Sequence, residues 1–251
     1  MNTRNSFSRI ARFELRLLMA DRTLWLTLGL LVLLIGYGLY NGLQQTHIRE
    51  QSAEQTLASD RARLDRLADE LRRMYAGDYL PDDPFANPLD PSTVGGGMGA
   101  GHAVLPAVAL APMAFGQSDM QPNEYRVTTD SRVGFMQDAE IENPWNLLNG
   151  RFDLAFVITF LLPLLVFAIS YNLLSVEREQ GTLRLLLSQP LSLRTVLIAK
   201  LVVRAAVLLG VAVFLPIVLL LTFRAEAREH FTDVAAWAAL GIVYGLVWFA
   251  L

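Results

Sequence analysis

The chain has 251 residues, 53% of them hydrophobic and only 18% charged, with a mean hydropathy of +0.36. Soluble domains are nearer 45–50% apolar and 25% charged, and here the excess is gathered into a few long runs, so a one-domain soluble enzyme is excluded. The net charge of −3 excludes a generally basic nucleic-acid binder. The absence of cysteine excludes disulfides, thiolate zinc sites, iron–sulfur clusters and cysteine nucleophiles.

In chain order, residues 5–21 read as an amphipathic helix. Phe7, Ile10, Phe13, Leu17 and Leu18 form an apolar stripe, and Arg9, Arg12 and Arg16 lie on another face. Such a helix rests in a membrane interface with its arginines toward lipid phosphates; the alternative is a helix packed on protein. Four runs then meet the roughly 20-residue length of a membrane span: 23–43, 151–174, 201–223 and 234–251. The first starts too late and runs too long for a cleaved signal peptide, and reads as an uncleaved anchor. The fourth is still apolar at Leu251, so the chain is expected to be a fragment or a truncated form with an incomplete last span.

Orientation follows the arginines and lysines beside the spans. Residues 1–22 hold five Arg against Glu14 and Asp21, and residues 175–204 hold four Arg and Lys200 against Glu177 and Glu179. Residues 224–233 hold two Arg against three acids, and residues 44–150 hold eight Arg against sixteen acids. The reading is an inner-membrane, multi-pass protein with a cytoplasmic N-terminus, an extracytoplasmic domain over 44–150, a cytoplasmic segment over 175–200 and a short outer loop over 224–233.

Within the 44–150 domain, Leu57, Leu64, Leu67 and Leu71 predict a long helix over 47–74, continuing the first span or packing on a partner. Residues 76–121 are rich in Pro, Gly and Asp and predict irregular structure, with the glycine run 95–101 as a flexible loop. Residues 103–116 are apolar but interrupted by two prolines, so they pack under the domain or lie against the membrane. Trp145 suits the headgroup level before the second span. His102 with Met98, Met113, Met120 and Met136 is irregular in spacing, and packing explains it better than a metal. Asp82, Asp83 and Asp90 read as a solvated loop rather than a calcium site.

The segment SVEREQGTLRLLLSQPLSLRTVLIAK, 175–200, is the most informative. Gly181 is a natural helix stop, Thr182 an N-cap for a short leucine-rich helix, Pro190 a second break, and Ser192 a cap for the third span. The sequence thus encodes a helix–break–helix elbow that a soluble partner can grip; a plain inter-span turn is the alternative. In the later spans, Gly241 and Gly245 fit close helix packing, Pro216 is set to kink the third span, and Arg204 reads as a residue that reaches out to the interface.

Glu177, Gly181 and Thr182, followed by Leu185, Leu186, Pro190, Arg194 and Lys200, resemble the pattern after the second span of type-2 ABC exporter permeases. The N-terminal amphipathic helix resembles that family's elbow helix. The insertion between the first two spans resembles the branch with large extracytoplasmic domains, such as the permease of nitrous-oxide reductase maturation. The resemblance covers residues 5–43 and 150–251. It implies an all-α integral membrane permease of six spans, four of them here, that dimerises as homo- or heterodimer. It further implies pairing with cytoplasmic ABC ATPases, and coupling roles for Glu177, Glu179, Gly181, Thr182, Pro190 and Arg194. No G-x-x-x-x-G-K-[ST] nucleotide motif occurs. ATP and magnesium are therefore expected in a partner ATPase, with neither a cofactor nor catalysis in this chain. A membrane-anchored sensor or a scaffold with an extracytoplasmic interaction domain is the alternative reading.

Overall fold

A computed structural model describes residues 3–78, 81, 87–115, 124–129, 152–171, 173, 181 and 192–251. The described chain is mostly helical and divides into two compact units.

The first unit holds residues 1–42, 112–114 and 152–251. Helix α1 spans Thr3–Ala20 and α2 spans Arg22–Tyr75. The junction between them is Asp21, whose Oδ1 accepts the Thr23 amide at 2.8 Å. A carboxylate at this place satisfies one of the free amides that open a helix. Helix α3 is the run Leu154–Ser170. Asp153 caps it, its Oδ1 accepting the Phe156 amide at 2.7 Å, and a π-type widening occupies Val157–Leu161. Helix α4, Leu193–Phe223, starts as expected at Ser192, whose Oγ accepts the Thr195 amide at 3.2 Å. Pro216 lies inside it. Helix α5 is Phe231–Ala250.

Helices α2, α4 and α5 are long and apolar enough to cross a membrane. The described part of α3 is equally apolar but covers 17 residues, shorter than the 151–174 run in the sequence. Leu24, Leu31, Ile35 and Leu39 bury one face of α2, yet Leu26 and Leu33 on other faces are 75% and 72% exposed. Phe214 of α4 and Leu240 of α5 are equally open. Helices apolar on both the inward and the outward sides are solvated by lipid rather than water. The all-α membrane fold expected from the sequence is what the chain adopts.

Glycine permits close approach at Gly42 and at Gly245. A Cβ on Gly42 would lie 1.9 Å from the carbonyl oxygen of Pro112, so the backbone of the 111–113 turn can approach α2 only there. A Cβ on Gly245 would lie 2.2 Å from Cδ2 of Leu209, whereas one on Gly241 would meet Val213 at an ordinary 3.6 Å. The close α4–α5 packing expected of this glycine pair is present, and Gly245 carries its tight part.

The second unit holds residues 43–111 and 115–151. The second half of α2 continues without a break to Tyr75, covering the helix expected over 47–74. It stops at Gly77, whose φ of +81° suits a residue without Cβ. Strands β1 (Gly101–Val104) and β2 (Glu124–Val127) pair antiparallel, with His102 opposite Arg126 and Ala103 opposite Tyr125. These strands qualify the expectation that turns and irregular structure dominate 76–121: β1 falls inside that stretch and β2 beyond it. They are four residues each, too short to leave a period-two signal amid prolines and glycines. The glycine run is likewise not a free loop. Val94–Met98 forms a π-type turn, the carbonyl of Gly95 accepts the Thr129 amide at 2.9 Å, and Gly101 opens β1. Of the apolar stretch 103–116, Met113 and Phe115 are buried, and the Arg49 guanidinium stacks on the Phe115 ring at 4.5 Å.

Candidate functional site

The sequence points to the 175–200 segment, and the structure describes its two margins. Glu177, Glu179, Thr182 and Pro190 lie outside the described residues, as does Trp145. Gly181 is described: its φ is +70°, the left-handed backbone that favours glycine and ends helices. Arg194 stands exposed in the first turn of α4.

The margins are joined by a buried ionic cluster. Lys200 and Arg204 are one turn apart on α4, and both face Glu14 of α1. Lys200 Nζ lies 3.6 Å from Glu14 Oε2, and Arg204 Nη2 lies 3.4 Å from Oε1. The three residues are 7%, 7% and 3% exposed. Both cations also donate to backbone. Lys200 Nζ donates to the carbonyl of Leu173 at 3.3 Å, and Arg204 Nη1 donates to that of Ile169. The Ile169 carbonyl lies in the last turn of α3 and that of Leu173 three residues beyond it, near the end where a helix carries partial negative charge. One cluster therefore ties α1, the last turn of α3 and the first turns of α4 together, on both sides of residues 174–191.

This corrects the reading of Arg204 as reaching out to an interface: the cluster supplies partners inside the protein. Leu18 is buried beside Glu14, but Phe13 and Leu17 are 65% and 53% exposed. Sequence reasoning counted Glu14 only as charge. The signal that could have found it is its place between Ile10 and Leu18, one turn from each, on the side of α1 away from the arginines. An acid at such a position needs a buried cation.

A second polar centre lies in the second unit. Asp60 of α2 is 7% exposed. Its Oδ2 accepts the His102 amide at 2.7 Å, both its oxygens lie 3.0 Å from His102 Nδ1, and Oδ1 accepts Arg63 Nη2 at 2.9 Å. Burial alone would raise this carboxyl; the hydrogen bonds from Arg63 and His102 outweigh it and hold Asp60 below the ordinary carboxylate value. His102 is thus engaged in clasping β1 to α2. Asp90 accepts the Ser92 amide and hydroxyl, which lowers its carboxyl as well.

Comparison with curated proteins and with solved structures gives no match. Over residues 8–251, however, the chain matches the family model described as ABC-2 family transporter protein. With apolar helices fit for a membrane and nearly its full length matched, the chain belongs to the ABC-2 transporter family, a permease component of membrane transport.

Proposed function

We propose that this chain is the membrane permease subunit of an ABC transporter and that residues 175–194 dock a separate cytoplasmic ATPase. Glu177, Glu179, Gly181, Thr182, Pro190 and Arg194 make that contact. The N-terminus and the docking segment face the cytoplasm, residues 44–150 face outward, and two permease chains assemble with the ATPases. Hydrolysis of ATP, with its magnesium, belongs to the partner, and this chain converts the partner's movement into export or into mechanical work on the outer domain.

The observation that carries this reading is the Glu14–Lys200–Arg204 cluster. A docking segment transmits force only if its ends are held. Here the end of α3 and the start of α4 are held to each other and to α1 by buried ion pairs and by lysine and arginine donors to backbone carbonyls. A loop that merely turns the chain has no need of a buried triad, which costs desolvation at every charge.

The test is co-purification of the full-length protein, extracted in mild detergent, with its neighbouring gene products. A soluble ATPase that accompanies wild type and is lost from Glu177→Arg and Gly181→Pro supports the docking segment. A folded permease that never retains an ATPase overturns the reading and favours a sensor or scaffold.

A further inference from the structure

Helix α3 is anchored at both ends and interrupted between them. At its start, the side-chain amide of Asn41 on α2 donates to the carbonyl of Phe152 at 3.0 Å. The two backbones are so close there that a Cβ on Gly38 would stand 3.0 Å from the carbonyl carbon of Asp153. At the other end, Arg204 of α4 donates to the carbonyl of Ile169, and Lys200 to that of Leu173 just beyond. Between these anchors the regular ladder fails. The Leu162 amide reaches back five residues to the carbonyl of Val157, one more than in an α-helix, and Pro163 follows with no amide to give. A π-turn and a proline are both recognised causes of helix bending, and here they fall together within 157–163. The carbonyl of Thr159, whose i+4 residue is Pro163, is met from outside α3 by the Tyr244 hydroxyl of α5 at 2.7 Å.

We infer that residues 157–163 are a hinge in α3 and that the Tyr244–Thr159 hydrogen bond is its latch. With the latch closed, α3 is one rod. With it open, the part from Leu162 onward swings with α1 and α4, to which the ionic cluster ties it, while the part before Val157 stays with α2. π-turns inside helices recur at functional sites, and hinges are short segments that absorb a change between bodies that stay rigid. A kink that only shapes the fold needs no separate attachment on each side; α3 has both. Ten residues from Leu161 to Tyr171 make an arm of about 15 Å, so a bend of about 20° moves Tyr171 by about 5 Å. The source of the movement rests on the docking reading above, because α3 leads into residues 174–191; the latch itself stands without it.

Because the chain has no cysteine, paired cysteines carry spin labels without background, and distances between them are read by pulsed electron paramagnetic resonance on the full-length protein in nanodiscs. Tyr40→Cys with Tyr171→Cys measures across the hinge, and Tyr171→Cys with Ile198→Cys measures within the body beyond it; all three side chains are exposed. Without nucleotide, Tyr244→Phe is expected to broaden the first distance by several ångströms and to leave the second as in wild type. Adding Pro163→Ala, which returns an amide to the Thr159 carbonyl, should narrow the first again. A Tyr244→Phe distribution as narrow as wild type would overturn the latch, and equal broadening of both distances would replace the hinge with general loosening. With the ATPase bound, ATP and vanadate should shift the first distance in wild type but not in Pro163→Ala. A shift of wild-type size in Pro163→Ala would mean that α3 tilts as a rod, and would overturn the hinge. An ATPase that never binds counts against the docking segment alone, because the first comparison uses no ATPase.

Discussion

The hydroxyl of Tyr244 on α5 donates to the carbonyl oxygen of Thr159 on α3 at 2.7 Å. Pro163 stands four residues beyond Thr159, and proline has no amide hydrogen to return to that carbonyl. The π-type widening over Val157–Leu161 ends just before the proline. The ordinary i+4 amide is therefore missing for this carbonyl, and a tyrosine from another helix supplies it with a donor where none is offered by hydrocarbon. Tyr244→Phe should cost about 1 kcal/mol, the scale of hydrogen bonds between membrane helices, and lower the detergent-solubilised melting temperature. Pro163→Ala in the same background should recover much of that loss, because an amide then becomes available within α3. A Tyr244→Phe protein as stable as wild type would leave the bond without energetic weight.

The two glycines of α5 should respond differently. Gly241→Ala adds a methyl at ordinary contact distance from Val213 and is expected to change stability by less than about 0.5 kcal/mol. Gly245→Ile places branched bulk where even a Cβ meets Leu209 at 2.2 Å, and overpacking of this kind costs about 1–3 kcal/mol. Leu209→Ala should relieve part of it. Thermal unfolding of the two single variants and the double variant measures the difference.

Asp60 makes the second unit sensitive to acid. Its carboxyl is held below the value of the unfolded chain, about 3.9. A carboxylate of depressed pKa contributes stability that is fully present above the unfolded value. That contribution is lost as pH falls through the lower, folded value. The clasp between α2 and β1 should therefore be intact at neutral pH and weaken only on acidification below about pH 4. At neutral pH, Asp60→Ala leaves the His102 amide and Arg63 without this acceptor, at a cost of about 1.5–3 kcal/mol. Faster hydrogen exchange at residues 101–104, with α4 unaffected, is the expected signature.

At the ionic cluster, removing one partner should cost far more than a surface charge. Lys200→Met leaves Glu14 and Arg204 paired, whereas Glu14→Gln takes the carboxylate from two buried cations at once. Glu14→Gln should be the worse of the two, by an amount within the 3–5 kcal/mol typical of a broken buried pair. Denaturant or thermal titration of both variants ranks them.

Much of this architecture was legible in the residues because the membrane imposes long uninterrupted signals. The 23–43 run, the break at Asp21, the Ser192 cap and the helix carried through 43–75 follow from hydropathy, capping chemistry and the absence of Pro and Gly. The resemblance at 177–200 points to the family from the residues alone. What escaped depends on partners far apart in sequence. Glu14 meets Arg204 across 190 residues, Asp60 meets His102 across 42, and Tyr244 meets Thr159 across 85. Strands of four residues among glycines leave no periodicity to read, and an arginine at the head of an apolar run looks the same whether it reaches for water or for a buried carboxylate.

The central claim is that the Glu14–Lys200–Arg204 cluster carries movement from a docked ATPase into the membrane helices. The most direct measurement is ATP hydrolysis by the reconstituted full-length complex in which the permease carries Glu14→Gln, with Glu177→Arg as the comparison. The account predicts that Glu177→Arg loses the ATPase from the complex. It predicts that Glu14→Gln keeps the ATPase bound but loses most of the permease's effect on its hydrolysis rate, and that Glu14→Lys with Lys200→Glu restores part of that effect. A Glu14→Gln complex that is assembled, stable and regulated like wild type would contradict it.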